Sequence, residues 1–318
     1  MSKAPRARSK PEADAKLASK PKTVPKRFAS FTLEKDPAIC LVYHPRNGRG
    51  QYLAKSDYVA LNAGGQLDDR ARAAQVVRAP KICADGDSWI NILSEISWVL
   101  GYEKTFFDII EQDYYTGSVA WPGDTFEQML SKRDYRQKIG SAIFDYFVFS
   151  GGGNDLLGGG ALSGFLKHKS EASGSAPTSH LHVDLIKRVT DRLEWGYGQI
   201  ADDVKRLSRP RNTRMLVHGY DIPTPRKDGI WLGGPFVRRG YSLTADRVLI
   251  QAILTYLVGE LYDLLARVAE KKDNVTVVDL RGSVRGRWVD ELHPREVASI
   301  DIASRFTAIF GPSTLVSN

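Results

Sequence analysis

The chain has 318 residues, of which 42% are hydrophobic and 26% are charged. A chain of this length can bury a sizeable core, and no apolar run in it approaches the roughly 20 residues of a membrane span, which argues against an integral membrane protein. Its two cysteines, Cys40 and Cys83, exclude a disulfide-rich scaffold and lack the clustering with histidine that zinc sites show. We expect both to be buried as small apolar side chains.

The net charge of +8 is concentrated near the start of the chain. Residues 1–27 contain nine lysine or arginine residues and two acidic residues, which gives +7 and leaves about +1 for the rest. This segment has no apolar periodicity, which predicts a disordered basic tail. Weak contact with an anionic surface is one role for such a tail, and a solvated leader is the plainer interpretation. The lack of a secretory signal or lipidation motif predicts a cytoplasmic location.

Residues 28–79 have an irregular pattern, with one apolar run at 38–43 that predicts a short strand. We interpret them as an N-terminal extension packed on a main domain that spans 80–318. In the main domain, strand and helix patterns alternate along the chain. Strands are predicted near 81–85, 106–110, 118–121, 145–150, 214–218 and 275–280, and helices near 89–100, 125–131, 181–207 and 244–269. This alternation predicts an α/β fold with a mostly parallel sheet covered on both faces.

Two stretches of the main domain, 151–179 and 221–240, are polar and rich in glycine. We expect neither to belong to the core, and we place insertions near 156–180 and 221–240. Long loops of this kind are usually rims or lids of a functional site, or disordered insertions.

Polar residues follow two of the predicted strands. Ser88 comes directly after the apolar run 82–84, in the triplet Gly86-Asp87-Ser88, and Asn154 follows the strand at 145–150 in a glycine-rich segment. Ligands of open α/β folds bind at the carboxyl ends of parallel strands, which is where both residues are expected. The simpler alternatives are a serine that caps the helix predicted from 89 and an asparagine that caps a turn.

A third candidate pair, Asp290 and His293, lies near the end of the chain and is followed by Pro294. A carboxylate three residues before a histidine can orient the imidazole as a general base. The alternative is a surface loop before a helix, with Pro294 at the first helical position.

Four sequence blocks occur in a fixed order: Ala84-Asp-Gly-Asp-Ser88, Trp121-Pro-Gly-Asp-Thr125, Gly152-Gly-Asn-Asp155 and Asp290-Glu-Leu-His293. Together they resemble the SGNH hydrolases, also called the GDSL esterase/lipase family, over about residues 80–310. The second block departs from the family pattern, because Pro122 stands where the family has serine. The resemblance implies a three-layer α/β/α sandwich with a flavodoxin-like sheet.

The resemblance also assigns roles to the residues of these blocks. Ser88 would be the nucleophile, His293 the base and Asp290 the acid that orients it. The oxyanion hole would consist of the Ser88 N–H, the Gly123 N–H and the Asn154 side chain, with Gly117 as a rival for the glycine donor. No metal and no cofactor is expected.

The expected function is a serine esterase or lipase-type hydrolase that cleaves a carboxylic ester, including a thioester or a carbohydrate acyl ester, through an acyl-enzyme. Trp89 and Trp121 are candidates for an aromatic pocket wall or for ordinary core packing. The stretches 225–231 and 236–239 mix cations with aromatic residues, which would suit an anionic or carbohydrate ester if they line the site. A solvated charged rim is the plainer interpretation. The alternatives are a catalytically silent binding protein of the same fold, and a binder of anionic surfaces or nucleic acid through the basic tail.

Overall fold

The computed structural model describes residues 31–36, 42–46, 51, 55, 80–93, 103–158 and 160–311. The predicted basic tail, Cys40 and most of the segment 28–79 lie outside these residues. Within the extension, β1 (Thr32–Asp36) pairs with β2 (Val42–Arg46) in an antiparallel ribbon, so the strand expected at 38–43 is found a few residues later. An ion pair of 2.9 Å joins Lys55 Nζ to Asp134 Oδ2 of the main domain. The domain boundaries stay predictions.

Five parallel strands form the central sheet, in the order β4-β3-β5-β6-β7. Their bounds are Lys81–Gly86 for β3, Tyr115–Ser118 for β4, Tyr146–Ser150 for β5, Arg214–His218 for β6 and Val275–Val278 for β7. Counted along the main domain this order is 2-1-3-4-5, which is the flavodoxin-like order. The predicted α/β fold with a parallel sheet is therefore confirmed.

Nine α-helices belong to the described part of the chain. They are α1 (Phe106–Ile110), α2 (Phe126–Lys132), α3 (Asp134–Ser141), α4 (Gly153–Leu156), α5 (Ala161–Phe165), α6 (Val183–Leu207), α7 (Gly233–Arg238), α8 (Arg247–Lys271) and α9 (Glu296–Phe310). The predicted helices at 125–131, 181–207 and 244–269 correspond to α2, α6 and α8, so these three predictions are confirmed.

Alternate residues of the strands face two helical layers. On one face, Phe147 packs against Tyr135 of α3, and Phe149 packs against Tyr197 of α6. The opposite face carries α1 and α9, whose Phe106 and Phe306 rings stack with centroids 4.8 Å apart. Since apolar side chains are buried on both faces, the sheet is the middle of three layers.

The strand predicted near 106–110 is wrong, the strand predicted near 118–121 lies earlier, at Tyr115–Ser118, and the helix predicted near 89–100 falls partly outside the described residues. Residues 106–110 were expected as a strand because they are apolar, but they form α1, which begins at a capping box made by Thr105 and Asp108. Capping satisfies backbone N–H groups at a helix start, and a short apolar run does not by itself distinguish strand from helix. The helix expected from 89 does not form within the described residues 89–93, where a turn is followed by Leu93 at φ 53°.

The two glycine-rich stretches are more ordered and more buried than their composition suggests. The first contains α4, α5 and two short 3-10 helices, and it buries Phe165 and Leu166. The second contains α7 and buries Trp231 and Phe236. The expectation that neither contributes to the core is wrong, because a few large apolar side chains anchor each stretch.

Contrary to the expectation that no segment approaches a membrane span, the helix α8 is long and apolar enough to cross a membrane by length and composition alone. Half of its most apolar window is buried in the protein. It packs against α6 and β7 and buries Leu257, Leu261 and Leu265. This is the packing of a core helix. Cys83, on β3, is fully buried as expected, and burial raises the pKa of its thiol to about 12.

Candidate active site

Ser88 lies two residues beyond β3, at the carboxyl edge of the sheet. The last pair of the β3–β5 ladder joins Gly86 to Ser150, and the Asp87 N–H donates to the Ser150 carbonyl at 3.2 Å. Gly86 has φ +156°, and a Cβ there would lie 2.5 Å from the Ser150 carbonyl oxygen. A glycine is therefore needed where the two strands come this close. A turn at 88–90 presents Ser88, so the helix N-terminus expected behind it is not part of the site.

Ser88, His293 and Asp290 form a continuous hydrogen-bonded chain. The distance from Ser88 Oγ to His293 Nε2 is 2.9 Å, and that from His293 Nδ1 to Asp290 Oδ2 is 2.7 Å. The relative exposure is 5% for Ser88 and 2% for His293. The structure thus brings together three residues that are up to 205 positions apart in the sequence.

The protonation state of Asp290 decides in which direction a proton can move along these hydrogen bonds. Burial alone would raise the pKa of Asp290. The neighbouring His293 lowers it, and so do the hydrogen bonds that the carboxylate accepts from the His293 side chain and from the backbone N–H groups of Leu292 and His293. The resulting pKa is about 2. A charged carboxylate only accepts hydrogen bonds, so it holds the imidazole proton on Nδ1. Nε2 is then the acceptor that faces the Ser88 hydroxyl.

Asp290 and His293 lie in a hairpin-like loop that the sheet does not carry. The Val289 N–H donates to the His293 carbonyl at 2.8 Å, and an isolated bridge pairs Trp288 with Pro294. The predicted helix after this loop is α9, but it begins at Glu296, so Pro294 is not at the first helical position as expected. Its place in the bridge explains the difference.

Asn154 lies in α4, directly after β5, and its side chain faces the same cleft as Ser88. Its Nδ2 donates to the Asp124 carbonyl at 3.1 Å, which orients the amide. The preceding Gly152 has φ +88°, a conformation that glycine adopts without strain. The alternative of a turn-capping asparagine does not describe this contact, which joins two separate loops.

The structure places Gly123 in a turn beside the end of β3, but not among the described residues that line the cleft. The Trp121 N–H donates to the Gly86 carbonyl at 2.9 Å, which holds this turn next to the Ser88 loop. The rival Gly117 lies inside β4 opposite Cys83, set back from the carboxyl edge.

The cleft encloses about 350 Å³ of space between protein atoms, part of it open to solvent. Its walls are mainly aromatic and aliphatic, and they include Trp89, Leu157, Tyr220, Trp288 and Leu292. The Trp89 indole N–H donates to the Leu292 carbonyl at 3.0 Å, and its ring contacts those of Tyr220 and Trp288. Trp89 is therefore a wall of the site, whereas Trp121 is buried and is not among the lining residues.

Charged groups around the cleft differ from the cationic rim that the sequence suggested. The Arg226 guanidinium donates to the carbonyls of Trp288 and Val289, and that of Arg239 donates to the Ser163 carbonyl. The cleft instead contains two acidic side chains, Asp87 and Asp221. Among the described lining residues there is no lysine or arginine.

Sequence reasoning missed a buried pair beneath Ser88, formed by Asp87 and Tyr220. The Tyr220 hydroxyl donates a very short hydrogen bond to Asp87 Oδ2, while Ser150 Oγ and the Trp89 N–H donate to Oδ1 at 2.9 and 3.0 Å. Burial raises the pKa of Asp87 and that of Tyr220. The Gly153 N–H also donates to the Tyr220 oxygen at 3.2 Å. The pair thereby connects the turn after Ser88 with the segment that carries Asn154.

One signal in the sequence points to Asp87, which stands inside the Gly86-Asp87-Ser88 triplet. The only sequence signal for Tyr220 is its position two residues beyond β6, at the same edge of the sheet. Among the described residues, no group of three histidine, cysteine or acidic side chains is arranged to hold a metal ion.

No family model and no curated protein matches the chain. Solved structures with a similar fold include a phospholipase A1 from Streptomyces albidoflavus, with 14% identity, a TM-score of 0.46 and coverage of 73% of this chain and 99% of that one. A GDSL-like lipase from Parabacteroides merdae is 12% identical, with a TM-score of 0.43 and coverage of 74% and 96%. An acetylxylan esterase from Geobacillus stearothermophilus is 11% identical, with a TM-score of 0.41 and coverage of 77% and 100%.

These structures include members of the class that the four sequence blocks resemble. With identities of 11–14% and TM-scores below 0.5, they transfer no activity to this chain.

Proposed function

We propose that the protein is a serine hydrolase that cleaves carboxylic esters through an acyl-enzyme. The observation that carries the proposal is the hydrogen-bonded chain from Ser88 through His293 to Asp290, which opens into an apolar cleft. A serine hydroxyl is a weak nucleophile until a positioned base takes its proton. Each of the three groups has a partner at 2.9 Å or less, which is the separation that proton transfer needs.

In the proposed reaction, Ser88 Oγ adds to the ester carbonyl carbon while His293 Nε2 takes the hydroxyl proton. The carbonyl oxygen becomes negative and accepts hydrogen bonds from the Ser88 N–H and the Asn154 amide, with the Gly123 N–H as a third proposed donor. The imidazolium, stabilised by Asp290, then gives its proton to the leaving alcohol oxygen as the C–O bond breaks. Water releases the acyl group from Ser88 by the same steps, and the free acid and the free hydroxyl result.

The lining of the cleft supports an uncharged ester as the substrate. Asp221 accepts hydrogen bonds from four backbone N–H groups, those of Ile222, Gly282, Val284 and Arg285. Among the described residues that line this cleft, no lysine or arginine is placed to bind an anionic acyl group. The apolar walls favour a hydrocarbon acyl or alcohol part, because burying apolar surface contributes about 25 cal/mol per Å².

A fluorophosphonate probe tests this proposal, since it reacts with a serine that is activated beside an oxyanion hole. The wild-type chain should be labelled and should hydrolyse p-nitrophenyl acetate. Ser88→Ala should lose both, and His293→Ala should lose roughly three or more orders of magnitude in kcat.

Ser163→Ala is a matched control, because Ser163 lies on α5 outside the cleft and its removal should leave both readouts unchanged. Labelling that persists in Ser88→Ala would contradict the proposal. A wild-type chain that neither reacts with the probe nor turns over the ester would favour a silent binding protein with the same fold.

A further inference from the structure

Glu291 stands between the proposed acid and base but takes part in neither of their contacts. Its relative exposure is 1%, and its carboxylate accepts four backbone hydrogen bonds from one loop. The N–H groups of Arg226 and Gly233 donate to Oε1 at 2.8 Å each. Those of Trp231 and Leu232 donate to Oε2 at 3.0 Å each. A buried carboxylate with four donors is a fixed anchor, because losing its acceptors would leave several buried N–H groups unpaired.

The loop that surrounds this carboxylate is shaped for it. We call residues 226–233 the Glu291 loop. A Cβ at Gly229 would lie 1.9 Å from Glu291 Cδ, and a Cβ at Gly233 would lie 1.7 Å from the Arg226 carbonyl oxygen. Both glycines are therefore needed for the backbone to approach this closely. The loop and the carboxylate form one unit that a bulkier sequence could not build.

This unit reaches the proposed base by two routes. The Trp231 ring, whose backbone N–H is held by Glu291, packs edge-on against the His293 ring with centroids 5.8 Å apart. The Arg226 guanidinium donates to the Trp288 and Val289 carbonyls at 3.0 and 2.7 Å, at the base of the hairpin-like loop. Since that loop is not carried by the sheet, these contacts, together with the Trp89 indole N–H that donates to the Leu292 carbonyl, fix its height above Ser88.

We propose that Glu291 is a positioning residue, which holds the imidazole of His293 in line with Ser88 by anchoring the Glu291 loop against it. The inference rests on the proposed function for its kinetic consequence, but its structural content is the position of the His293 ring, which does not depend on that function. A displacement of the base by about 1 Å is enough to cost about 100-fold in rate.

Glu291→Gln is the sharpest variant, because it keeps the size of the side chain and changes one acceptor. Each carboxylate oxygen of Glu291 receives two N–H donors, so whichever way the glutamine amide turns, its NH₂ group faces two N–H groups. The Glu291 loop is then expected to move away from the hairpin-like loop while the sheet stays folded.

The kinetic test uses p-nitrophenyl acetate and the fluorophosphonate probe, at a temperature at which circular dichroism shows each variant folded. In Glu291→Gln, we expect kcat and the rate of Ser88 labelling to fall about 10- to 100-fold, with KM within about threefold. In a protein that already carries Trp231→Leu, the Glu291→Gln substitution should lower kcat by a smaller factor. If Glu291→Gln lowers kcat as much in that protein as in the wild-type chain, the proposed coupling through the Trp231 ring is overturned.

A second readout does not depend on catalysis. The proton between His293 Nδ1 and Asp290 should give a strongly downfield resonance in the proton NMR spectrum, assigned by its absence in His293→Ala. We expect Glu291→Gln to broaden or remove it. If the wild-type chain shows no esterase activity, the proposed function fails, and this resonance still decides the role of Glu291.

Asp203→Asn is the matched control. Asp203 is a buried carboxylate bound by Arg136 and Tyr135, near the end of α6. The Ala201 carbonyl on the same helix turn accepts from Asn274, just before β7, which puts Asp203 at the opposite edge of the sheet from Ser88. Its variant should lower the melting temperature while keeping the resonance and kcat. If Glu291→Gln does the same, Glu291 is merely structural and the inference is overturned.

Discussion

His218 is expected to make the stability of the protein depend on pH in a defined window. The side chain is fully buried at the end of β6, among the rings of Trp89, Phe106, Tyr220 and Phe306. Its Nδ1 lies 2.7 Å from the Gly219 carbonyl oxygen, while Nε2 has no hydrogen-bond partner among the described residues. Burial lowers its pKa to about 4, because an imidazolium in this apolar cage would lose its hydration.

The sign and size of the change in stability with pH follow from the lowered pKa of His218. The folded state holds the histidine neutral, whereas the unfolded chain binds a proton below its ordinary pKa of about 6.5. The contribution of His218 is therefore complete above about pH 6.5 and is lost as the pH falls towards 4. Between pH 7 and pH 5, the free energy of unfolding should fall by about 2 kcal/mol on account of this residue alone.

Urea denaturation at pH 7 and pH 5 measures this, with His218→Asn as the comparison. Asparagine does not titrate, and its amide keeps a donor near the position of Nδ1. The variant loses packing, which lowers its stability equally at both pH values. Other groups titrate alike in both proteins, so the wild-type chain should lose about 2 kcal/mol more than the variant between the two pH values. If both proteins lose the same free energy of unfolding between the two pH values, the conclusion that His218 is buried as a neutral imidazole is refuted.

Two further predictions concern the donors around the cleft. Asn154→Ala should lower kcat by roughly 10²–10³-fold with little change in KM, because its amide is proposed to bind the oxyanion rather than the ground-state carbonyl; steady-state kinetics that stay within threefold of wild type would contradict this. Tyr220→Phe should lower the free energy of unfolding by about 1–3 kcal/mol, because Asp87 and the Gly153 N–H lose a buried partner. Denaturation curves that coincide with wild type would show that this pair is not structural.

The sequence predicted four of the five strands, β3, β5, β6 and β7, because they stand out as apolar runs. It placed the edge strand β4 about three residues too late, because Tyr115–Ser118 is polar and only partly buried. It also singled out Ser88, Asn154, Asp290 and His293 as candidates, since each lies in a short block that contains several polar residues. The spatial relation among them could be expected only from the rule that parallel strands end at one edge. The structure adds the distances.

What the sequence could not predict depends on contacts between distant segments. The helix at 106–110 forms because Thr105 and Asp108 cap it, and a five-residue apolar run does not distinguish it from a strand. Glu291 resembles any acidic loop residue until residues 226–233 fold around it. Tyr220 has no motif, because its role comes from a partner 133 positions away.

The two halves of the candidate site are held by different kinds of structure. Ser88 and Asn154 extend from β3 and β5, adjacent strands whose separation is set by the ladder itself. His293 lies on a loop without a strand ladder, which is held by hydrogen bonds with Asp290, Arg226 and the Trp89 indole and by the ring contact with Trp231. Loops open locally at a lower free energy than central strands do, so we expect the local unfolding free energy of this loop to be the lower of the two. We therefore expect inactivation under mild stress to begin at the proposed base rather than at the proposed nucleophile, while the sheet is still intact.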